Sequence, residues 1–108
     1  MEIKGYTLHG DYYLADEVIT NATWGDACRM KEEVTLPNGK TVVAHTLSKE
    51  ELETISAEEK DIEGCWYWTG TRSEDSYAFI SCDKGFYDHY VGCSASDGGA
   101  RLGFKNPF

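Results

Sequence analysis

At 108 residues, with 41% hydrophobic and 13% aromatic content, the chain is excluded from the disordered class and suffices for one domain, residues 1–108. Such a domain buries about 60–70% of its unfolded surface and needs no metal or disulfide to fold. Nineteen Asp and Glu against ten Lys and Arg leave a formal charge of −9, which opposes nucleic-acid and anionic-membrane partners and favours a basic protein surface.

Met1-Glu2-Ile3-Lys4-Gly5-Tyr6 has no apolar run of signal-peptide or membrane-span length, so a cytoplasmic location is expected, with a virion or host-cell cytoplasm open to a phage-encoded chain. Tyr6-Thr7-Leu8 and Tyr12-Tyr13-Leu14 flank His9-Gly10-Asp11, which predicts an opening hairpin turning at the glycine. Further on, Thr23 with Asp26 reads as a capping box, and Trp24, Ala27, Cys28 and Lys31 follow helical spacing, so a first helix is expected to pack Trp24 inward. The sequon Asn21-Ala22-Thr23 has no signal peptide before it and is read as chance. Val34-Thr35-Leu36 and Thr41-Val42-Val43 around Asn38-Gly39 predict a second hairpin, because both turn residues tolerate positive φ.

The second helix is marked by Ser48 at its cap, Glu51 at N3, and Leu47 and Leu52 in hydrophobic-staple positions. Ser56 and Glu59 repeat the cap signature, and Leu52, Ile55 and Ile62 are placed to face the core. The exposed side of this segment is acidic, which suits a solvated face and offers Glu50, Glu53, Glu58 and Glu59 as a possible docking face.

From Gly64 to Phe104, three runs rich in aromatic and β-branched residues and a fourth short run, Gly99-Ala100-Arg101-Leu102-Gly103-Phe104, read as successive antiparallel strands. Asp83-Lys84-Gly85 is expected to be a three-residue turn, setting Cys82 near Phe86, Ile80 near Asp88 and Ala78 near Tyr90. Cys28, Cys65, Cys82 and Cys93 lack C-x-x-C spacing and fall in apolar patterns, so buried free thiols are expected in a reducing compartment. In an exported chain three disulfide connectivities would be open.

Several chemistries are disfavoured. Cys82, His89 and Cys93 with a carboxylate such as Asp97 match no common zinc module, and the hairpin pairing separates Cys82 from the others. His89 is expected on the strand surface. Asp97-Gly98-Gly99 lacks the strand, helix and lysine of a phosphate loop. No Cys–His nucleophile pair can be assigned, so the chain is read as a non-enzyme with no metal and no cofactor.

Thr23-Trp24-Gly25-Asp26-Ala27, Thr46-Leu47-Ser48-Lys49-Glu50-Glu51-Leu52, Tyr67-Trp68-Thr69-Gly70-Thr71, Ser76-Tyr77-Ala78-Phe79-Ile80, Gly85 and Ala100-Arg101-Leu102 resemble, in order and spacing, bacterial and phage domains of the Lcl C-terminal type. The resemblance spans about residues 20–104 and implies an α+β domain of C-type lectin-like architecture. In that architecture two helices pack on a curled antiparallel sheet and the termini pair. Val43-Ala44-His45-Thr46-Leu47 departs from that family's Trp-Arg strand, the Asn38-Gly39 hairpin stands as an insertion, and the tripeptides of calcium-dependent lectins are missing.

The composition Phe86-Tyr87-Asp88-His89-Tyr90, followed by the Ser- and Gly-rich stretch 92–99, matches recognition surfaces in which rigid aromatics supply area and small polar residues adapt. The expected activity is non-catalytic binding of a macromolecular, protein partner. Tyr87, His89, Tyr90, Ser94, Ser96 and Asp97 would carry it, with Arg72, Glu74 and Asp75 on the neighbouring loop. A small acidic inhibitor encoded by a phage or mobile element, occupying a basic groove of a host enzyme through Glu50, Glu53, Glu58 and Glu59, is the competing expectation.

Overall fold

A computed structural model of the chain describes residues 3–55, 64–82 and 85–108. In chain order the elements are β1 (Tyr6–His9), β2 (Tyr12–Ala15), β3 (Ile19–Thr20), α1 (Trp24–Arg29), β4 (Lys31–Thr35), β5 (Thr41–Thr46) and α2 (Lys49–Glu53). They are followed by β6 (Trp66–Glu74), β7 (Tyr77–Cys82), β8 (Gly85–Tyr90), β9 (Gly98–Ala100) and β10 (Leu102–Lys105). One sheet has the order β1-β2-β10-β5-β4, the other β3-β9-β6-β7-β8.

The expected α+β, C-type lectin-like architecture with two packed helices is therefore corrected: the described residues are 53% strand and 11% helix, built on two five-stranded sheets. The helix starts were legible and their lengths were not. Both capping boxes form, Thr23 with Asp26 and Ser48 with Glu51, yet the helices run only six and five residues. A cap satisfies the first N–H groups and has no hold on how far the helix then runs. After α1, Met30 turns extended (φ −70°, ψ 133°), and Lys31, expected to end the helical stripe, instead opens β4 opposite His45.

Local turn chemistry holds at both predicted hairpins. β1 and β2 pair from Tyr6↔Ala15 to His9↔Tyr12, with Gly10 at φ +63°. β4 and β5 pair around a loop in which Gly39 alone takes positive φ, and Asn38 instead accepts from Lys40 N–H through its side-chain oxygen. The opening hairpin lies beside β10, with Tyr13↔Phe104 in register.

Among the described residues three apolar clusters fill the interior. Ile3, Tyr6, Tyr13, Val34, Leu36, Ala44, Leu102 and Phe104 pack on one face of the first sheet, with the Tyr13 and Phe104 rings stacked at 5.2 Å. Leu14, Leu47, Leu52, Ile55 and Tyr67 join the two sheets, and the staple pair Leu47 and Leu52 is fully buried there. Gly103 makes this junction possible, since a Cβ would stand 2.7 Å from the Tyr13 carbonyl oxygen and 3.0 Å from the Leu14 and Leu47 methyls. The third cluster, Ala22, Ala27, Trp68, Ala78, Ile80 and Ala100, lies between α1 and the second sheet. Ser56, Glu59 and Ile62, expected to extend the second helical segment, lie outside the described residues. Among the described residues no helix is long and apolar enough to cross a membrane.

Tyr6 supplies a pH-dependent tie within the first sheet. Its hydroxyl donates to Glu32 Oε1 at 2.9 Å, and burial first, then that bond and the carboxylate charge, push its pKa well above the ordinary phenol value. A raised folded-state pKa means that the protonated form is favoured by folding. The stabilisation is thus complete below the unfolded pKa of about 10 and is lost as pH climbs through the folded value. Tyr6→Phe keeps the ring contact with Phe104 and removes the bond. It is expected to cost about 1 kcal/mol at neutral pH, read as a lower urea midpoint, and progressively less in alkali.

Candidate functional site

The expected β7–β8 register is off by one residue. Cys82 pairs with Gly85, Ile80 with Tyr87, Ala78 with His89 and Tyr77 with Tyr90. Gly85 lies within the strand at φ +117°, so only positions 83 and 84, which lie outside the described residues, separate the paired ends. Because side chains alternate across a strand, such a slip changes every cross-strand neighbour. Tyr90 meets Tyr77 instead of Ala78, and His89 takes the place over Ala78.

His89 is accordingly not the surface residue expected. Half-buried, it stacks on Trp66 at 4.9 Å and 21°, and meets Trp68 edge-on at 5.5 Å and 76°. Trp66 and Trp68 stand perpendicular to each other 5.1 Å apart. The indole of Trp66 lies directly over Gly98, where a Cβ would come within 2.0 Å of it, so the glycine admits the ring. Trp24, expected inside, is half-buried at the margin of this cluster; its Nε1 donates to the Thr69 carbonyl at 3.0 Å, and the Arg72 guanidinium covers its ring at 4.8 Å.

The tyrosines are the exposed part. Tyr77 is 39%, Tyr87 49% and Tyr90 52% accessible, and Tyr77 and Tyr90 meet edge-to-face at 6.0 Å. Tyr87 shares a sheet face with Ile80, Ala78 and His89, while Tyr90 and Asp88 share the other with Tyr77 and Phe79. On that second face Lys49 of α2 reaches within 5.1 Å of the Phe79 ring and 5.2 Å of the Phe86 ring.

Arg72, Glu74 and Asp75 are exposed at the β6–β7 turn, in line with the tyrosines: Glu74 pairs with Tyr77, and Arg72 with Ala78. Arg72 also donates to the Asp75 carbonyl at 2.9 Å, which fixes the turn. Ser94, Ser96 and Asp97 are exposed on the 91–97 loop. That loop has a tethered backbone: Asn21 N–H donates to the Ala95 carbonyl at 3.0 Å, Trp66 N–H to that of Asp97 at 3.2 Å, and Cys93 N–H to that of Tyr90 at 3.1 Å. Trp66 and Tyr77 were missed as site residues. Both stand inside the aromatic runs, but their roles depend on cross-strand register.

The acidic alternative is less coherent. Glu50 and Glu53 are exposed on α2, Glu53 is ion-paired with Lys49, and Glu58 and Glu59 lie outside the described residues. The cysteines also differ from expectation. All four are free thiols as expected, but none is fully buried: Cys28 is exposed and the other three are half-buried. Burial pushes the Cys65 thiol up, holding it in the weakly nucleophilic protonated form. Cys82 and His89 are separated by four positions along β7, about 13 Å of strand. Among the described residues no three His, Cys, Asp or Glu side chains are grouped to hold a metal.

No family model, curated protein or solved structure matches this chain. The likeness to Lcl C-terminal-type domains rests on the residues quoted for it.

Proposed function

We propose that the protein is a non-catalytic binding module that recognises a protein partner through the β6–β8 side of its second sheet. The observation that carries this reading is the set of three exposed tyrosines that flank the β8 margin of the sheet, Tyr87 on the face braced by the Trp66–His89 stack and Tyr77 with Tyr90 on the other. Tyrosines held on a rigid sheet give large contact area at little entropic cost, and their hydroxyls remain available for hydrogen bonds. Arg72, Glu74, Asp75, Ser94, Ser96 and Asp97 form the polar surroundings of that surface. The net charge of −9 favours a basic partner. The phage or bacterial setting that the Lcl-type likeness implies belongs to the same proposal.

The test is affinity capture with the natural chain and with Tyr87→Ala/Tyr90→Ala as baits, followed by titration of the captured partner. Both rings are about half exposed, so the double variant should stay folded and lose about 1–2 kcal/mol, mostly from the edge-to-face contact of Tyr90 with Tyr77. Its partner affinity should fall at least tenfold, about 1.4 kcal/mol. Unchanged affinity removes this surface, and affinity that the double variant keeps but added salt steeply abolishes transfers the role to the acidic residues of α2.

A further inference from the structure

Resting on the recognition reading above, we infer that β8 is an acceptor edge to which an extended, basic segment of the partner adds as a further strand. β8 is the last strand of its sheet, six residues long and paired with β7 without a register break. The other edges are blunted in ways that β8 is not: β3 has two residues, β1 has four, and β4 begins Lys31-Glu32-Glu33. Along β8, Asp88 carries the single charge.

The direction in which its backbone points is set by one bond. Val91 N–H donates to the Ser76 carbonyl at 3.0 Å, which makes 76 and 91 a hydrogen-bonded pair in the line of the same register. Such pairs alternate in an antiparallel ladder, so His89 turns its amide toward β7, whereas Asp88 and Tyr90 turn theirs away. The Tyr90 carbonyl is taken by Cys93 N–H, which leaves the N–H and C=O of Asp88 and the N–H of Tyr90 directed outward. Among the described residues no strand lies on that side.

The flanking side chains specify the occupant. A strand laid along β8 would alternate its residues between the face of Tyr87 and the face of Asp88 and Tyr90. Exposed Asp88 lies on this edge, the exposed acids Glu74 and Asp75 stand on the far side of β7 at the β6–β7 turn, and Arg72 is already engaged by Trp24 and the Asp75 carbonyl. Apolar residues on the Tyr87 side and Lys or Arg on the Asp88 side meet both conditions. A second copy of this chain would bring a further formal charge of −9 to the contact, which opposes self-pairing.

The probe is a fluorescent heptapeptide alternating Lys with Val, and its counterpart with Glu in place of Lys, titrated by anisotropy against the full chain. The Lys peptide is expected to bind, and the Glu peptide to bind at least tenfold more weakly. Amide exchange should show new protection at Asp88 and Tyr90. Asp88→Pro removes an outward N–H, a substitution that edge strands tolerate, and should weaken binding at least tenfold. Asp88→Lys keeps the backbone donor and should lose the preference for the Lys peptide. Protection that fails to appear at Asp88 and Tyr90 in the unaltered chain overturns the inference even if Asp88→Pro does not fold. Sedimentation showing a dimer with those amides already protected overturns it too, assigning the edge to a second copy. If Asp88→Pro leaves capture of the natural partner intact while Tyr87→Ala/Tyr90→Ala abolishes it, strand addition falls and the recognition surface stands; if neither variant matters, both fall.

Discussion

Trp68→Ala is expected to remove about 3–5 kcal/mol of stability, a large share of the roughly 5–15 kcal/mol that holds a domain folded. Trp68 is wholly inaccessible, and its Nε1 donates to the Ala22 carbonyl at 2.9 Å. Around it Ala27, Ala78 and Ala100 are small enough to admit the indole against Ile80. These alanines cannot refill the space once the ring is gone, so the cavity would persist and the cost should lie near the upper end. Trp68→Phe separates volume from hydrogen bonding: it keeps most of the apolar contact and leaves the Ala22 carbonyl without its donor, costing about 1–3 kcal/mol. Both should appear as lower denaturant midpoints with unchanged slope. Because Trp66 and His89 both pack against Trp68, the near-ultraviolet circular dichroism of the aromatic cluster should collapse with the alanine variant. A Trp68→Ala chain with an unaltered midpoint would show that this cluster does not hold α1 to the second sheet.

Arg101 is the second expected site of large loss. It stands between β9 of one sheet and β10 of the other, only 5% accessible, with Nε donating to the Ala15 carbonyl at 2.7 Å. Its guanidinium lies 5.2 Å from the Tyr67 ring centroid. One side chain therefore ties β2, β6 and the crossing segment together. A planar guanidinium can donate and stack at once, which a lysine ammonium cannot. Arg101→Met should cost about 2–4 kcal/mol through the lost charged hydrogen bond and ring contact, and Arg101→Lys should recover only part of that. Buried charges can also be dispensable when apolar residues replace them. An Arg101→Met chain as stable as the natural one would assign the arginine to that dispensable kind.

The arginine also explains why the fourth, short run departs from the expected single antiparallel strand. Gly99-Ala100-Arg101-Leu102-Gly103-Phe104 reads as one strand, but it changes sheets at Arg101. Before that point β9 runs parallel to β6, at Trp66↔Gly98 and Tyr67↔Gly99; after it β10 runs antiparallel to β2 and β5. Nothing in the composition of six residues records which neighbour each half meets. The exposure of the tyrosines was legible in the same partial way: strand alternation required at least one of Tyr87 and Tyr90 to be exposed, and both are, but their neighbours depend on a register that no local pattern fixed.

What the sequence determined by itself is what acts over four or five residues. Gly10 and Gly39 supply positive φ at their turns, Thr23 and Ser48 cap helices with Asp26 and Glu51, and Leu47 with Leu52 staples the second one. These are contacts between near neighbours, so the residues that make them are visible together in the chain. Only the tertiary structure decided that the two described helices stop after two turns or fewer, that the ten strands among the described residues divide into two sheets, and that His89 rather than Tyr90 lies over Ala78 against the tryptophans. Strand pairing is chosen by the summed burial of side chains far apart in sequence, and a shift of a single residue reverses which of them meet.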